Sequence, residues 1–508
     1  MTTERVDLAV IGGGMGGLAC AAIARKAGLE VALRESHASL GGCAGYFARG
    51  PYHFDAGATA LMGLGDGEPI GDLLGAIGAD FRGIVTPAYR VHLPDRSIDV
   101  TADAGAFEAA SEAAFPGRVE ARRLFWRLQA AVGSTLFRVA GRVPRLPIRS
   151  PADVAYDAKI LGLPGFLAAS TWALTVLDVL RLLGLADDLP FRSLIAMLLQ
   201  DTAQAGPEVV PFANAAACLQ AYRMGMSRPS GGMAALAEEI GRRFVALGGD
   251  LRVSTIVDRV EPIEGGRGGF RVIARRRSVP VLEARQVAFN LPIDRAASLL
   301  GRPLDGRLAR RETQARAAWG AFTGYLAIDR TALPDDGPLF HQVLADYDRP
   351  PHDGNNVLIS LSPPGDPGYG PAECRVATLS THTRAGDWDG LDAEAYGRKK
   401  GVYRDRLLEA VRRAIPGATD RLIHGEFASP RSFLRYTRRS AGLVGGAPVR
   451  RSNSTFLAVD ADVLGPGLWV VGDSVFPGQG TMAVVLSAIR VVERITGRSW
   501  ADLRRVAV

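Results

Sequence analysis

A glycine-rich turn near the start of the chain constrains the fold more than any other feature of the sequence. The apolar run Leu8–Ile11 leads directly into a Gly-x-Gly-x-x-Gly turn made by Gly12, Gly14 and Gly17. A helical pattern follows, and a second apolar run then ends at Glu35. Strand, turn, helix and strand in this order predict a βαβ unit, and therefore an α/β fold built on a Rossmann-like domain.

Each glycine of the turn has a mechanical role in binding a dinucleotide. Gly12 permits the tight turn, Gly14 lets a pyrophosphate approach the backbone, and Gly17 lets helix and strand pack closely. The phosphates then face the positive end of the helix predicted over 18–27. Glu35 is placed to accept hydrogen bonds from both hydroxyls of the adenosine ribose, which argues against a 2′-phosphate. The turn alone does not distinguish FAD from NAD.

Further motifs distinguish these cofactors. The pair Gly41–Gly42 follows the ribose acid, Phe54–Ala58 reads Phe-Asp-Ala-Gly-Ala, and the tail carries Gly472–Asp473 and Phe476–Gly480. This combination resembles the carotenoid desaturase and isomerase family of flavoproteins, above all its bacterial and cyanobacterial-type desaturases and its cis-trans isomerases. The resemblance implies one noncovalently bound FAD, held by both ends of the chain, in a fold of the glutathione-reductase or amine-oxidase type.

The tail motif also has chemistry of its own. The apolar strand Leu468–Val471 leads to Gly472 and Asp473, and a mostly apolar helix is predicted from Thr481 to Ile495. Such a helix start can place backbone N–H groups near the N1 and O2 edge of a flavin, where negative charge accumulates on reduction. We interpret Asp473 as a ligand of the ribityl chain or the pyrophosphate; capping of a turn is the alternative.

A middle segment completes the resemblance. Arg228–Met233 is followed by a helical run to Leu247 and by a strand-like run from Val253 to Val260. In relatives the chain returns here to the FAD domain, and the backbone near Val257 meets the adenine; a plain sheet strand is the alternative. The predicted cofactor-binding residues are therefore Gly12, Gly14, Met15, Gly16, Gly17, Glu35, Gly41, Gly42, Ala58, Val257, Gly472, Asp473, Gly480, Thr481 and Met482.

The spacing of these motifs predicts a discontinuous FAD-binding domain. We assign residues 1–65, 228–300 and 455–508 to it, and residues 66–227 and 301–454 to an inserted α+β substrate domain that also contacts a membrane. With 508 residues, of which 47% are hydrophobic, the chain is long enough to bury the cores of two such lobes.

Charge and cysteine content argue against several other classes. The formal net charge is +7, but the basic residues are dispersed and almost all are arginine, so no nucleic-acid partner is predicted. The four cysteines lie far apart without a Cys-x-x-Cys pair, which argues against a zinc site, a disulfide framework and a redox-active disulfide. Cys43 stands in the Gly-Gly loop where relatives often carry a basic or small polar residue, so the local phosphate contact stays open.

The start of the chain and one apolar segment bear on location. Residues 1–7 lack an apolar signal-peptide core, which predicts a cytoplasmic protein. Residues 160–177 are uncharged, but glycines and a proline interrupt them, so a spanning helix is not expected. Helices between 144 and 199 are expected instead to line a tunnel or to dip into the inner leaflet as a peripheral contact. The arginines spaced between 138 and 149 suit either a headgroup-level edge or a solvated surface.

The family resemblance implies a long, lipophilic isoprenoid polyene as the substrate. We expect desaturation by hydride transfer from carbon to flavin N5, with electrons passing on to a membrane quinone or to oxygen. Positioning and the spreading of positive charge along the conjugated chain would supply most of the rate enhancement, so no strong protein base is required. His53 and Asp55 lie near the flavin motif, but structural roles are favoured for both, and no catalytic residue is assigned.

Two alternatives to desaturation stay open. A redox-neutral carotenoid cis-trans isomerase that uses reduced FAD would share the same tail motif. An amine-oxidase-like flavoenzyme for a small polar substrate would share the fold, but it should have an aromatic cage and a compact pocket.

Overall fold

The computed structural model describes residues 3–263, 268–304, 306–316 and 318–505. The strands in these ranges, in chain order, are β1 (Thr3–Ile11), β2 (Val31–Arg34), β3 (Tyr46–Arg49), β4 (Tyr52–Asp55), β5 (Gly83–Val85), β6 (Tyr89–His92), β7 (Ser97–Val100), β8 (Ser227–Pro229), β9 (Asp250–Arg252), β10 (Val257–Pro262), β11 (Phe270–Ala274), β12 (Val281–Phe289), β13 (Trp319–Asp329), β14 (Phe340–Leu344), β15 (Asn356–Leu361), β16 (Cys374–Arg384), β17 (Leu422–Ala428) and β18 (Leu468–Val470).

The helices of the same ranges connect these strands. They are α1 (Met15–Lys26), α2 (Pro69–Ala76), α3 (Ala104–Ala114), α4 (Val119–Ala140), α5 (Pro151–Ser170), α6 (Val176–Leu182), α7 (Leu189–Thr202), α8 (Phe212–Arg223), α9 (Gly232–Ala246), α10 (Ile293–Leu299), α11 (Gly306–Arg316), α12 (Ala393–Ala414), α13 (Pro430–Thr437), α14 (Thr481–Thr496) and α15 (Trp500–Arg505).

The first large sheet is the Rossmann-like core. Its described strands run in the order β10-β11-β12-β1-β2-β9, and β18 pairs in parallel with the end of β12. β1 is parallel to both of its neighbours, β12 and β2. Leu8 and Val10 belong to the core shared with α1, α9 and α14, whereas Ala9 and Ile11 belong to a second core. Burial on both faces explains the unbroken apolar run of β1.

Helix α1 packs closely because small side chains line it. It contacts both α9 and α14, and most of its residues are buried. Gly17 lies in its first turn, where a Cβ would stand 2.0 Å from the Gly12 carbonyl oxygen. The helix begins at Met15 and ends at Lys26, so the predicted start at Leu18 was late, and the last glycine of the turn, Gly17, lies inside the helix.

The predicted single strand from Val253 to Val260 is wrong. The chain forms β9 and β10 instead, separated by a bend in which Ser254 has φ +51°. Thr255 N donates to the Glu35 carbonyl oxygen at 2.7 Å, so the bend is docked against the end of β2. This tertiary contact stabilises a break that the apolar pattern does not reveal.

The second large sheet belongs to the inserted part of the chain. Its described strands run in the order β17-β13-β16-β15-β14-β6-β7, and the pairs are antiparallel except β14–β6. Helices α4, α7 and α8 share a core with β6 and β14, while α12 shares another with β13, β15 and β16. The molecule therefore combines a Rossmann-like domain with an α+β part, as the fold class predicted. The domain boundaries themselves stay predictions.

Helix α5 covers most of the uncharged segment that begins at residue 160. Ser150 and Asp153 form a capping box at its start, and Gly162, with φ +56°, interrupts it ahead of Pro164. None of the helices in the described ranges combines the length and the apolar composition needed to cross a membrane.

Candidate cofactor and substrate site

The glycine-rich turn offers main-chain donors at the start of α1. Within the described part of the chain, no side chain caps this helix start. N–H groups at a helix start lack partners within the helix and carry the positive end of its dipole. Gly12 has φ +104°, and a Cβ on Gly14 would stand 2.6 Å from Asn290 Oδ1. The turn therefore presents bare backbone, which suits a pyrophosphate.

Glu35 is fixed beside this turn at the end of β2. Its Oε2 accepts a hydrogen bond from Gly13 N at 2.6 Å, and its Oε1 accepts one from His37 N at 2.6 Å. The residue is 9% exposed. A carboxylate can accept about four hydrogen bonds, so acceptor capacity remains for ribose hydroxyls.

The Gly-Gly loop packs directly on the turn. Gly41 N donates to Gly13 O at 2.8 Å, and a Cβ on Gly42 would stand 3.1 Å from Gly14 Cα. Gly41 has φ +105°, a conformation that side chains other than that of glycine disfavour. Ala58 N donates to the carbonyl oxygen of Cys43 at 3.1 Å, so the Phe-Asp-x-Gly element is tied to the same loop.

The C-terminal motif reaches the turn through Asn290. Asn290 Nδ2 donates to Val471 O at 2.8 Å, while Asn290 N donates to Ile11 O at 2.9 Å. Gly472 N donates to Ser487 Oγ of α14 at 3.2 Å. Helix α14 follows Gly480, and no side chain in the described ranges caps its start. The two ends of the chain thus contribute two uncapped helix starts to one region.

A cavity of about 2270 Å³ brings the predicted residues together. Every predicted cofactor-binding residue except Gly17 lines it, and Gly17 packs against the Gly12 backbone instead. Val257 lies on the cavity wall at the start of β10. An ordinary ligand pocket measures roughly 300–1000 Å³. This cavity is therefore large enough for a dinucleotide together with a second, long molecule, and the individual cofactor contacts stay predictions.

Away from the turn, the cavity extends into the inserted part of the chain. Thr323 and Tyr325 of β13 lie on one wall, and apolar residues of α4, α5 and α8 lie on others. Large apolar side chains on the wall are 41% to 64% exposed to solvent: Ile148, Val154, Phe166 and Phe456. The cavity is therefore open along α5.

The sequence did not point to Arg439, which lies in the loop after α13. Its Nη2 lies 2.9 Å from Asp473 Oδ2 and donates to Gly445 O at 2.6 Å. The guanidinium also lies close enough to the Cys43 side chain to interact with it. Although burial opposes it, the Asp473 charge raises the pKa of Arg439. The basic run at 435–439 reads as a solvated stretch, so only the fold reveals this contact.

Asp201 is a second titratable residue of the wall that the sequence did not indicate. It lies near the end of α7, and Tyr222 donates its hydroxyl hydrogen to Asp201 Oδ2 at 3.3 Å. Burial raises the pKa of Asp201 to about 6. The local pattern shows only the end of an apolar helix, which carries no sign of a cavity wall.

Comparisons with known proteins add the decisive observation. The model of an NAD(P)-binding Rossmann-like domain matches residues 10–77. The chain is 24% identical over 515 residues to prolycopene isomerase 2 of an Oncidium hybrid cultivar, covering 97% of this chain and 84% of that protein. It is also 24% identical over 535 residues to 4,4′-diapolycopene oxygenase of Methylomonas sp, covering 97% and 98%. The resemblance to the carotenoid desaturase and isomerase family is confirmed.

A solved structure agrees with this family resemblance at the level of the fold. Putrescine oxidase bound to putrescine superposes with a TM-score of 0.64 and 16% sequence identity, covering 98% of this chain and 100% of that chain. At this identity the likeness concerns the fold alone. The chain therefore has the fold of amine-oxidase-type flavoprotein oxidoreductases, while its sequence resembles the carotenoid desaturase and isomerase family.

Proposed function

We propose that the chain is an FAD-dependent oxidoreductase that desaturates a long, carotenoid-like isoprenoid polyene. The observation that carries this proposal is the continuous cavity between the glycine-rich turn and the exposed apolar residues of α5. The relatives named for prolycopene and diapolycopene, which match over nearly the whole chain, support the substrate class.

The donor set of the cavity fits FAD. The bare backbone of the turn and the uncapped start of α1 suit a pyrophosphate, and Glu35 suits the adenosine ribose. The uncapped start of α14 suits the anionic edge of a reduced flavin. When bound, FAD would supply the hydride-accepting N5 atom. We assign these contacts to the predicted cofactor-binding residues and to a discontinuous domain of residues 1–65, 228–300 and 455–508.

The inserted part of the chain would hold the polyene, and we assign residues 66–227 and 301–454 to this substrate domain. Apolar side chains on the cavity wall, such as Leu136, Leu161 and Met226, exclude water from an extended chain. Charge that develops during hydride removal spreads along the conjugated carbons, so positioning contributes more than a strong base.

Redox-neutral cis-trans isomerisation with reduced FAD is the second candidate. The similarity to prolycopene isomerase along 97% of this chain favours it. An amine-oxidase-like activity has weaker support, because the likeness to putrescine oxidase, at 16% sequence identity, concerns the fold alone. A cavity of about 2270 Å³ also exceeds what a small polar amine requires beside the cofactor.

We propose further that α5 contacts the inner leaflet of a membrane peripherally. Leu163, Phe166 and Leu167 are 71%, 64% and 57% exposed, and Phe166 also lines the cavity. Contiguous exposed apolar side chains at the edge of a cavity are typical of a membrane or partner contact. A polyene could then enter without crossing water, and a membrane quinone or oxygen would accept the electrons.

The neighbouring arginines are partly engaged within the protein. Arg149 pairs with Asp460 at 3.0 Å and with Asp462 at 2.7 Å, and Arg145 lies 4.2 Å from the centroid of the Tyr156 ring. Their side chains are still 50% and 39% exposed. The proposed headgroup contact therefore depends on the apolar side chains of α5 first and on these arginines second.

Mass spectrometry of the products tests the proposed reaction. FAD-loaded protein is incubated without oxygen with an acyclic carotenoid in liposomes, with the flavin either oxidised or reduced beforehand. Desaturation predicts a product that has lost two hydrogens for each new double bond, formed only with oxidised flavin. Isomerisation predicts a product of unchanged mass that forms only with reduced flavin. An unchanged carotenoid with flavin bound in both states would contradict both candidates.

A further inference from the structure

We propose that Arg439 binds the pyrophosphate of FAD and supplies a positive charge that the Gly-Gly loop itself lacks. This inference rests on the proposed function, because it concerns the FAD of that site. Arg439 comes from the loop after α13, far along the chain from the glycine-rich turn.

The position of Arg439 joins two sides of the site. Its guanidinium faces the Cys43 side chain and pairs with Asp473 at 2.9 Å. Cys43 follows Gly42, whose Cα lies against Gly14 of the pyrophosphate-binding turn. Asp473 belongs to the C-terminal motif that reaches the same turn through Asn290. The guanidinium is therefore held between the loop and the motif that both border the expected phosphates.

A cation beside the expected phosphates would improve the charge balance of the site. Glu35 and Asp473 both line the cavity, and the pyrophosphate of FAD adds two more negative charges. A helix start contributes only about half of one positive charge. Like charges in a buried site repel strongly, so an unneutralised diphosphate beside Asp473 would bind poorly.

Two other arginines on the cavity wall are engaged with carboxylates elsewhere. Arg34 pairs with Asp250 at 2.6 Å, and Arg49 pairs with Glu426 at 2.8 Å. Arg439 differs because its carboxylate partner, Asp473, is itself a predicted ligand of the cofactor. Arg439 therefore prevents Asp473 from repelling a phosphate, and its guanidinium still has N–H groups that can donate to the phosphate oxygens.

One of these donors has no hydrogen-bond acceptor among the described residues. The Nε atom of Arg439 is buried and has no hydrogen-bond partner within the described ranges. A buried donor without a partner is destabilising, and a guanidinium has five N–H groups in a planar fork that matches phosphate oxygens. A phosphate oxygen in the cavity would satisfy Nε, which makes the unpaired donor a sign of the ligand.

Cys43 makes room for this arrangement. The Cys43 side chain is a small thiol that carries no positive charge of its own. A small neutral side chain in the Gly-Gly loop leaves space for a guanidinium that arrives from α13. The cation is thus supplied from a distant segment and not from the loop.

The test is the binding of FAD and of riboflavin, which lacks the pyrophosphate, to apoprotein. Flavin fluorescence titration of Arg439→Met should show FAD affinity reduced roughly ten- to hundredfold, the range for a lost charge-assisted hydrogen bond. Riboflavin affinity should fall much less, because riboflavin has no pyrophosphate. Arg438→Met is the matched control, because Arg438 lines the same cavity but is exposed, and it should bind FAD as the wild type does.

Placing the positive charge in the Gly-Gly loop provides a rescue experiment. Adding Cys43→Arg to Arg439→Met should restore most of the FAD affinity, since Cys43 contacts the guanidinium position. Arg439→Lys, which keeps the charge but loses the fork, should lie between the wild type and Arg439→Met and covers the case in which the Met variant folds poorly. Equal loss of FAD and riboflavin affinity in Arg439→Met, or unchanged FAD affinity in both Arg439→Met and Arg439→Lys, would overturn the inference. Failure of the wild type to bind FAD would instead overturn the proposed function.

Discussion

Asp55 and Arg228 form an ion pair in the protein interior, with Arg228 Nη2 lying 3.0 Å from Asp55 Oδ2. The two side chains are 1% and 0% exposed. Tyr369 accepts a hydrogen bond from Arg228 Nε at 2.9 Å and donates one to Asp55 Oδ2 at 3.3 Å. Met233 N donates to the other carboxylate oxygen at 2.9 Å. The pair therefore joins the Phe-Asp-x-Gly element to the middle motif, a structural role that agrees with the one expected for Asp55.

Loss of the arginine should destabilise the fold strongly. Arg228→Met leaves Asp55 without its cation, and removing one partner of a buried pair costs about 3–5 kcal/mol. Burial already raises the pKa of Asp55 against the effect of Arg228, so the variant carboxyl should become neutral at a higher pH still. Urea denaturation followed by circular dichroism measures the loss of stability.

An exposed ion pair gives the matched control for this prediction. Arg49 pairs with Glu426 at 2.8 Å, and these side chains are 47% and 31% exposed. Arg49→Met should therefore change the free energy of unfolding by less than about 1 kcal/mol. Equal effects of the two substitutions would contradict the structural importance of the Asp55–Arg228 pair.

Gly17→Ala should disrupt the cofactor site, although it adds a single methyl group. The new Cβ would stand 2.0 Å from the Gly12 carbonyl oxygen, so the turn and the helix must move apart. Flavin retained after purification, measured by absorbance, should fall sharply. Gly75→Ala is the control because a Cβ there meets nothing within 4 Å in helix α2, and it should be neutral or stabilising by about 0.5–1 kcal/mol. Full flavin retention by Gly17→Ala would show that the turn is not packed as described.

Asp201 should make stability depend on pH in a definite direction. The pKa of an unfolded aspartate is near 4, and burial raises the pKa of Asp201 to about 6 in the folded protein. The folded chain therefore binds more protons between these values, and stability falls as the pH rises through this window. Asp201→Asn removes this titration. The free energy of unfolding of the variant, relative to that of the wild type, should therefore be higher at pH 8 than at pH 4 by about 2 kcal/mol.

Thermal melting of Asp201→Asn across this pH range checks the prediction. Asp201 interacts with the hydroxyls of Tyr222 and Tyr89, neither of which is expected to titrate below pH 8, since burial raises both pKa values. Asp405→Asn, at a side chain that is 63% exposed, is the control and should leave the pH profile unchanged. If the melting temperatures of Asp201→Asn and of the wild type change with pH in parallel, the titration of Asp201 does not cause the pH dependence of stability.

Helix α5 should control binding to membranes. A double substitution, Leu163→Asp with Phe166→Asp, places charges on two side chains that are 71% and 64% exposed, so it should weaken vesicle binding without lowering the melting temperature. Val402→Asp is the control, since Val402 lies on α12 and is 49% exposed. Sedimentation with vesicles that contain anionic lipid measures the effect. Unchanged sedimentation of the double variant would place the membrane contact elsewhere or exclude it.

The local part of the fold was predictable from the sequence because its signals are short-range. The apolar run of β1, the glycines of the turn and the acid at the end of β2 stand close together and determine one unit. The bend at Ser254 was not predictable, because it depends on Thr255 docking against the backbone of Glu35. An apolar pattern does not record a contact with a distant segment.

Some residues of the candidate site were likewise predictable from the sequence and others were not. Its glycines were found because turns and close backbone approaches leave a residue-specific signal. Arg439 and Asp201 were missed because each is one charged residue in a stretch that has another obvious interpretation. The proposed role of Arg439 is visible only in the structure, where Cys43 and Asp473 lie beside its guanidinium.

The most direct test of desaturation is to mix FAD-loaded protein with an acyclic carotenoid in liposomes under anaerobic conditions and to record the flavin and polyene spectra together. If the protein is a desaturase, the flavin bleaches in step with the appearance of a red-shifted product that has one more conjugated double bond. A flavin that stays oxidised beside an unchanged polyene, when the same liposomes deliver the carotenoid to the protein, would contradict it.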